Sequence, residues 1–156
     1  MKYSTPYEKG TARALGVSLP VSLKKSVEVC RFIRGKPLGK AIRLLELAQQ
    51  KKLAVPFTRF NRGGTGHKPN IGPGRYPVAV CAELIKLLRQ AEANAQGRGL
   101  NAQSMVIRNA IAKKGQTTPR YGRQRGRQAK RTHVEVVVAE AKTEAKPAPA
   151  KKPAAK

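Results

Sequence analysis

The segment KKGQTTPRYGRQRGRQAKRT, residues 113–132, decides the fold of this chain because of the sequence on either side of it. Residues 105–112 before it and residues 133–138 after it both alternate between two sets of side chains. Such period-two patterns around a segment that contains Gly and Pro predict a β-hairpin. If the two arms remain paired, each extends about nine residues past the core, or roughly 30 Å at about 3.3 Å per residue.

The same segment carries eight cationic side chains and no acidic one. They are Lys113, Lys114, Arg120, Arg123, Arg125, Arg127, Lys130 and Arg131. A ribbon with so little apolar surface is marginal alone in water, so we expect a polyanion to hold it. The alternative is a disordered linker rich in Arg and Gly. The flanking strands argue against that alternative because they bring the two ends together.

Residues near the middle of the segment suit RNA. In an extended ribbon Arg123, Arg125 and Arg127 fall on one side, because side chains alternate between faces. Guanidinium groups bind phosphate with two hydrogen bonds and also stack on bases. Gly122 and Gly126 either let backbone approach backbone closely or let the tip turn with a positive φ, and Tyr121 at the tip can stack on a base.

The charge of the whole chain also indicates a polyanionic partner. Thirty-three Lys and Arg residues stand against eight acidic ones, all Glu, for a formal net charge of +25. Such an imbalance attracts phosphate backbones. A membrane surface is the lesser possibility, because no stretch approaches the roughly 18 apolar residues of a spanning helix. The start, MKYSTPYEKG, contains no apolar core typical of a secretory signal.

A short strand and a helix are predicted before the middle of the chain. The strand covers residues 12–19 and has β propensity. Its core-facing side chains are expected to be Leu15, Val17 and Leu19. We expect Ser22 to cap the following helix by accepting a hydrogen bond through its side-chain oxygen, and Gly35 to end that helix.

Two further helices follow. Pro37 suits the first turn of the second, and Lys51 and Lys52 are expected in its last turn, where they complement the helix dipole. Pro77 opens the third and longest helix. Its inner face is predicted to comprise Val78, Cys81, Ala82, Ile85, Leu88 and Glu92, widened by Leu84, Leu87 and Ala91. The element order predicts an α+β fold, with a small antiparallel three-stranded sheet packed on three helices, a long protruding β-hairpin and a disordered C-terminal tail.

Residues 57–77, FTRFNRGGTGHKPNIGPGRYP, form a basic segment rich in Gly and Pro with no predicted secondary structure. Its glycines do not match a phosphate-binding loop. Aromatic residues between basic ones predict RNA contact through stacking and phosphate binding. The alternative is a flexible loop whose aromatic residues only attach its ends to the core. The basic residues are Arg59, Arg62, His67, Lys68 and Arg75.

The composition divides the chain into three parts. Residues 1–11 are predicted to be an irregular N-terminal arm, and residues 12–140 a single α+β domain. That domain includes the basic loop at 57–77 and the extended hairpin at 113–132. Residues 141–156 are low-complexity Ala, Lys and Pro, which have nothing to bury and are predicted to be disordered.

Catalysis is difficult to build from these residues. General acid–base chemistry by paired carboxylates needs two acids in one cleft, whereas the Glu residues are scattered singly and expected to point to solvent. His67 and His133 are far apart, and no Cys, His and carboxylate cluster suits a metal. Cys30 and Cys81 lie in predicted helices and are expected to be reduced, buried and structural, as in the cytosol. The sequence predicts no enzyme, no catalytic residue, no metal and no cofactor.

Several blocks in order resemble one family. They are VSLKKSVEVCRFIRGKPLGKAIRLLE (21–46), GHKPNIGPGRYPV (66–78), LLRQAEANAQGRGL (87–100), PRYGR (119–123) and THVEVVV (132–138). Over about residues 10–140 the chain resembles the universal large-subunit ribosomal protein L twenty-two family. The loop at 53–76 is similar to that of its archaeal and eukaryotic members. The basic RQRGRQAKR run (123–131) and the tail depart from the family pattern.

The resemblance implies a function, a location and partners. Such proteins bind large-subunit ribosomal RNA, with the globular part near the exit of the peptide tunnel and the hairpin passing inward to the tunnel wall. Carried over by position, Pro119, Arg120, Tyr121 and Gly122 are at the tunnel-lining tip, and the hairpin cations hold RNA. The implied partners are ribosomal RNA, neighbouring large-subunit proteins and the nascent polypeptide, in a cytoplasmic ribosome, without a membrane or a homo-oligomer.

Two other functions compete with this one. An architectural DNA-binding protein with basic β-arms would use an apolar wedge at the arm tip, for which Pro119 is the only candidate. An enzyme acting on RNA lacks the carboxylates that it would need.

Overall fold

A computed structural model describes residues 3–63, 65–124 and 126–140 of the chain. Arg125 and the predicted tail at 141–156 lie outside the described residues. The helices are α1 (Leu23–Ile33), α2 (Leu38–Gln49) and α3 (Val78–Gln96). The strands are β1 (Thr11–Leu19), β2 (Val55–Pro56), β3 (Gly66–Lys68), β4 (Gly72–Arg75), β5 (Met105–Lys114), β6 (Thr118–Pro119), β7 (Gln128–Ala129) and β8 (Thr132–Glu140).

The main sheet is antiparallel and has the strand order β1-β8-β5. The three helices lie against one face of it and enclose the apolar core, to which Phe57 from the basic loop also contributes. The predicted α+β fold, with a three-stranded sheet and three helices, is confirmed. At this end of the sheet, the last pairs with β8 join Leu19 of β1 and Lys114 of β5 to Thr132, so the segment between Lys114 and Thr132 leaves the main sheet here.

The predicted inner face of β1 is wrong for Leu15 and Val17, whereas Leu19 packs against the core as expected. Ala12 and Ala14 are buried against the helices, whereas Val17 is 56% exposed. The small alanine side chains let α3 approach the strand closely, which larger residues would prevent. A register shift between Gly16 and Leu19 then breaks the alternation.

The alternation of buried side chains along β5 also differs from the prediction, because it shifts by one residue after Ile107. Met105 and Ile107 are buried, but the next buried side chain is Ala110 rather than Asn109. A register shift between Ile107 and Asn109 adds one residue opposite β8. Because side chains alternate in steps of two, one extra residue moves the later ones to the other face.

The helix boundaries were predicted well, but two end contacts were not. Ser22 is the first residue before α1, yet its side chain caps no backbone group; its carbonyl instead accepts from the Ser26 amide at 2.9 Å and the Ser26 hydroxyl at 3.0 Å. Gly35 ends the helix with φ of +74°. Lys51 and Lys52 lie beyond α2 rather than in its last turn, because Lys51 adopts a positive φ of 61°.

The buried face of α3 is rotated around the helix axis relative to the predicted face. Leu84, Leu87 and Ala91, expected at its edges, are fully part of the core, and Val80 and Ala95 join them. Val78, Ala82 and Glu92 are only half-buried. The helix packs against both α2 and the sheet, so its apolar face is wider than one stripe.

The other face of the sheet is covered by the N-terminal arm. The Glu135 carboxylate of β8 is 1% exposed and accepts hydrogen bonds from the Ser4 amide at 2.9 Å and the Thr5 amide at 3.2 Å. The guanidinium of Arg13 lies between the rings of Tyr3 and Tyr7, at 5.3 and 4.9 Å from their centroids. The arm is irregular as predicted and is held on the sheet by these contacts.

The basic loop has secondary structure of its own, which corrects the prediction of an irregular segment. Strands β2, β4 and β3 form a second small antiparallel sheet in that order. A Cβ on Gly74 would lie 3.0 Å from Ile71 Cδ1 and 3.1 Å from Lys68 Cγ, so both side chains would have to move slightly. Glycine at this position therefore lets these side chains pack closely over β4.

Candidate nucleic-acid interface

The two arms of the hairpin remain paired beyond the main sheet. The Gly115 amide donates to the Arg131 carbonyl at 2.9 Å, and β6 pairs with β7 farther out. The Arg120 amide donates to the Arg127 carbonyl, also at 2.9 Å. The predicted extended hairpin is therefore present, and its turn lies between Arg120 and Arg127.

The tip differs from the flat ribbon that the sequence indicated. Gly122–Gln124 form a 3-10 turn, so strict alternation of Arg123 and Arg127 on one face does not hold there. Gly122 has φ of +77°, which confirms a positive φ there. A Cβ on Gly126 would meet no described atom within 4 Å, so close backbone approach does not require glycine at that position. Tyr121 is 98% exposed, and its ring is free to stack on a partner.

A narrow point lies at the base of the projecting arms. A Cβ on Gly115 would lie 2.9 Å from the carbonyl carbon of Arg131 and 3.0 Å from its oxygen. Both neighbours are backbone atoms, so only glycine fits at this position without displacing a strand. The two strands can therefore approach closely where the hairpin leaves the body.

The hairpin cations fall into two groups. Lys113 and Arg131 are half-buried and contact the body: the Lys113 ammonium lies 3.4 Å from the Glu135 carboxylate, and the Arg131 guanidinium donates to the Ser18 carbonyl at 3.4 Å. The other described cations are exposed and form no ion pair with a described residue. They are Lys114, Arg120, Arg123, Arg127 and Lys130.

A buried carboxylate fixes the start of the basic loop. Glu28 on α1 is 1% exposed and accepts hydrogen bonds from the amides of Thr58, Arg59 and Phe60 at 3.3, 2.8 and 2.7 Å. The expectation that every Glu points to solvent is thus wrong for Glu28 and Glu135. Both carboxylates serve backbone amides, which compensates the cost of burying their charge.

The side chains of the loop have different surroundings. Phe57 is 1% exposed and belongs to the core, so for this residue the alternative of an aromatic anchor is correct. The Arg75 guanidinium donates to the Thr65 hydroxyl at 2.9 Å and to the Gly63 carbonyl, within the loop. Arg59, Arg62 and His67 are exposed, and Lys68 is half-buried, with its ammonium 5.8 Å from the centre of the Tyr76 ring.

The loop and the hairpin meet at the start of α1. The returning arm of the hairpin lies beside residues 20–22 and lines a cavity of about 330 Å³ with them. A neighbouring cavity of about 380 Å³ joins the hairpin to the loop and is called the basic cleft below. It is lined by Ser22, Lys24, Lys25, Phe57, Arg59, Phe60, Arg62, Arg75 and Lys130.

Sequence reasoning did not single out Lys24 and Lys25. Both lie in the first turn of α1, and no acidic residue accompanies them there. Cations at this end oppose the helix dipole, so they are unfavourable for the isolated helix. Two lysines in the first turn of a predicted helix, where they oppose the dipole, were the sequence signal that could have indicated a role other than stabilising the helix.

The described residues contain no arrangement typical of catalysis or metal binding. No group of three or more His, Cys, Asp or Glu side chains in them is placed to hold a metal ion. Burial raises the pKa of the Cys30 thiol to about 12 and that of the Cys81 thiol to about 11, so both remain protonated at neutral pH. None of the described helices is long and apolar enough to cross a membrane.

Comparisons with known proteins agree with this geometry. The family model described as "Ribosomal protein L22p/L17e" matches residues 14–139. Proteins named "Large ribosomal subunit protein uL22" are similar along most of the chain. That of Methanococcoides burtonii is 40% identical and covers 74% of this chain and 77% of its own.

Two more relatives carry the same name. The protein of Archaeoglobus fulgidus is 38% identical over 76% of this chain and 78% of its own, and that of Methanosphaera stadtmanae is 37% identical over 89% and 95%. The family is one of ribosomal proteins rather than of enzymes, which confirms the prediction that the chain is not an enzyme. The chain belongs to the ribosomal protein L22p/L17e family, here called the uL22 family.

Proposed function

We propose that the chain is a structural constituent of the large ribosomal subunit that binds and stabilises large-subunit ribosomal RNA, with its hairpin reaching the wall of the nascent-peptide tunnel. The coarse role follows from membership of a ribosomal protein family whose relatives are named as large-subunit proteins. The observation that carries RNA binding is the position of the exposed cations. They lie on the projecting hairpin and on the loop beside it.

The distribution of acidic groups supports the same proposal. Glu8, Glu46 and Glu83 form ion pairs with Arg108, Arg89 and Lys86. These pairs involve the N-terminal arm, α2, α3 and β5 rather than the outer hairpin or the loop. Phosphate groups are therefore attracted to the side of the molecule where the cations have no described carboxylate partner.

The proposed RNA contacts follow the sequence prediction except at Arg75, Lys113 and Arg131, whose side chains contact the protein itself. In the loop they are Arg59, Arg62, His67 and Lys68, with Arg75 bracing the loop from within. In the hairpin, Lys114, Arg120, Arg123, Arg125, Arg127 and Lys130 bind phosphates. Lys113 and Arg131, which contact the body, set the direction in which the hairpin leaves it.

The tip is proposed to line the tunnel. Tyr121 has almost its whole surface free, and Gly122 turns the chain beside it. Pro119 and Arg120 belong to the last paired part of the arms. An exposed aromatic ring at the end of a cationic arm suits contact with both RNA bases and a passing polypeptide.

The partners are large-subunit ribosomal RNA, neighbouring large-subunit proteins and the nascent polypeptide, and the location is the cytoplasmic ribosome. The chain acts as one copy per subunit, not as a homo-oligomer. The competing architectural DNA-binding role is disfavoured by the tip. Pro119, the only candidate wedge, is paired with Gln128 in a strand rather than placed at the end of the arm.

Crosslinking in purified ribosomes tests this proposal. A photoreactive group at Arg123 should attach to large-subunit RNA, because the residue is exposed at the tip. The matched position is Arg89, an exposed arginine on α3 that is paired with Glu46. Attachment of Arg123 to duplex DNA in preference to ribosomes, or no incorporation of the chain into large subunits, would contradict the proposal.

A further inference from the structure

The basic cleft concentrates positively charged side chains in one place. Six basic residues from three separate parts of the chain line it, and no acidic residue does. Lys24 and Lys25 come from α1, Arg59 and Arg62 from the loop, and Lys130 from the hairpin. Like charges repel one another, so their convergence costs stability unless an anion binds between them.

Most of these cations are available to a ligand. Arg75 donates its hydrogen bonds inside the loop, but the other five form no ion pair with any described residue. Glu28, the carboxylate at the root of the loop, is directed to three backbone amides. The cleft therefore presents positive charge without a described internal counterion.

An aromatic ring lies among these charges. The Arg59 guanidinium carbon is 5.3 Å and the Lys24 ammonium 5.9 Å from the centre of the Phe60 ring. Phe60 is half-buried, so part of its surface faces the cleft. Aromatic rings and guanidinium planes are the groups on which unstacked nucleic-acid bases stack.

We propose that the basic cleft receives one unpaired nucleotide of large-subunit RNA, with its phosphate among Lys24, Lys25 and Lys130 and its base against Phe60 and Arg59. This inference rests on the proposed function and deepens it. A base inside a regular helix is stacked on its neighbours and cannot enter such a cleft, whereas a bulged or looped-out one can. The volume of about 380 Å³ lies within the range of small-ligand sites.

An acidic segment of another protein would also be attracted by these charges. The nucleotide is favoured because the cleft combines cations with an aromatic ring and a guanidinium plane. A carboxylate side chain would leave that stacking surface unused. Binding of an acidic segment is one of the outcomes that the test below distinguishes.

The test uses the full chain and three variants. Phe60→Leu keeps an apolar group in place but removes the ring. The double variant Lys24→Ala, Lys25→Ala removes two charges from the cleft. Its matched control, Lys51→Ala with Lys52→Ala, removes two charges from exposed lysines just past α2, outside the cleft.

Binding is measured with deproteinised archaeal large-subunit RNA and with a single-stranded RNA hexamer containing 4-thiouridine, against a duplex of the same length. Phe60→Leu should weaken hexamer binding by about fivefold or more and abolish crosslinks to residues 59–62. Removing Lys24 and Lys25 should lower the slope of log affinity against log salt by about 1.5, whereas the control pair should change it less.

The outcomes separate this inference from the proposed function. If the wild-type chain binds large-subunit RNA but both cleft variants match it, or if duplex and single strand bind equally, the cleft inference is wrong and the proposed function stands. Competition by poly-glutamate in preference to the hexamer overturns the nucleotide in favour of a protein segment. Failure of the wild-type chain to bind the RNA at all contradicts the proposed function itself. Thermal unfolding of each variant verifies that the fold is retained.

Discussion

The body of the molecule and its outer hairpin are held together in different ways. In the body, Leu45, Leu88 and Ile107 are fully buried between sheet and helices, and most described carboxylates accept hydrogen bonds from amides or pair with cations. In the outer hairpin, residues 115–131 contain six cations and no acid, and the described side chains are almost all exposed or half-buried. The body is stabilised by burial of apolar surface. The hairpin is held by backbone pairing and by two side-chain hydrogen bonds, from Thr117 to Gln128 and from Arg131 to the Ser18 carbonyl.

The body and the outer hairpin therefore have separate roles. The body folds from its own sequence and positions the hairpin through contacts such as those of Lys113 and Arg131. The exposed hairpin cations form no ion pair with the described residues of the body. Their electrostatic interactions are therefore made only when phosphate groups surround the hairpin. Stability and RNA affinity should therefore respond to different substitutions.

Removal of the outer hairpin should have the largest effect on RNA binding and almost none on the body. The Gly115 amide and the Arg131 carbonyl are hydrogen-bonded, so residues 116–130 can be replaced by Asn-Gly, which favours a two-residue turn. Five cations are lost, and the salt slope should fall by up to about 4. Titrations of large-subunit RNA at several salt concentrations measure it. Unfolding of the body in this variant would contradict the separation of the two regions.

A core substitution should do the reverse. Leu88→Ala removes a fully buried side chain and should lower the free energy of unfolding by about 2–5 kcal/mol, because a cavity remains. Tyr121→Ala at the exposed tip is the control and should change it by less than about 0.5 kcal/mol. Denaturant unfolding measures both. Equal effects at the two positions would show that the hairpin tip is packed on the body.

Glu28 attaches the start of the basic loop to α1, so its substitution tests how the body holds a second charged segment. Glu28→Gln leaves one oxygen for three amides and should cost about 1–3 kcal/mol of stability, because a buried donor loses its partner. Faster hydrogen exchange at Thr58–Phe60 should accompany it. The control is Glu83→Gln, whose ion pair with Lys86 is exposed and contributes little. Unchanged exchange at these amides would contradict the anchoring role.

The smallest effect concerns pH and the N-terminal arm. Burial of the Glu135 carboxyl would raise its pKa, but hydrogen bonds from Ser4 and Thr5 outweigh this and hold the pKa below its ordinary value near 4.5. The arm contacts are therefore fully present above about pH 4.5 and are lost as the pH falls through the lower folded value. NMR signals of Tyr3 and Tyr7 should report release in acid, and Glu135→Gln should remove this pH dependence. A transition with the same midpoint in that variant would assign it to another group.

How far the sequence predicts this structure depends on the kind of signal. Apolar periodicity located the three helices and the strands of the main sheet, because burial of one face is the largest energy involved. The inner face of β1 was missed because Ala12 and Ala14, rather than the larger Leu15 and Val17, are the residues that allow close packing. A β-bulge such as the one before Asn109 moves the later side chains to the other face of the sheet. The amino-acid composition of the strand does not reveal such a bulge.

The candidate site was predicted in part for a similar reason. The charge of the hairpin and the loop is visible in composition, and so is the role of Gly122 at the turn. The contacts of Glu28 with Thr58–Phe60 and of Glu135 with the arm join residues far apart in the chain. No local pattern encodes such pairs, and the convergence of Lys24 and Lys130 on one cleft is of the same kind.

The most direct measurement of the central claim places a photoreactive amino acid at Tyr121 in the full chain, assembled into large subunits. Tyr121 should attach to large-subunit RNA in empty subunits and to the nascent chain in translating ribosomes, because its side chain is exposed and not covered by the described part of the body. Attachment only to proteins of the outer surface, with neither RNA nor nascent chain, would contradict it.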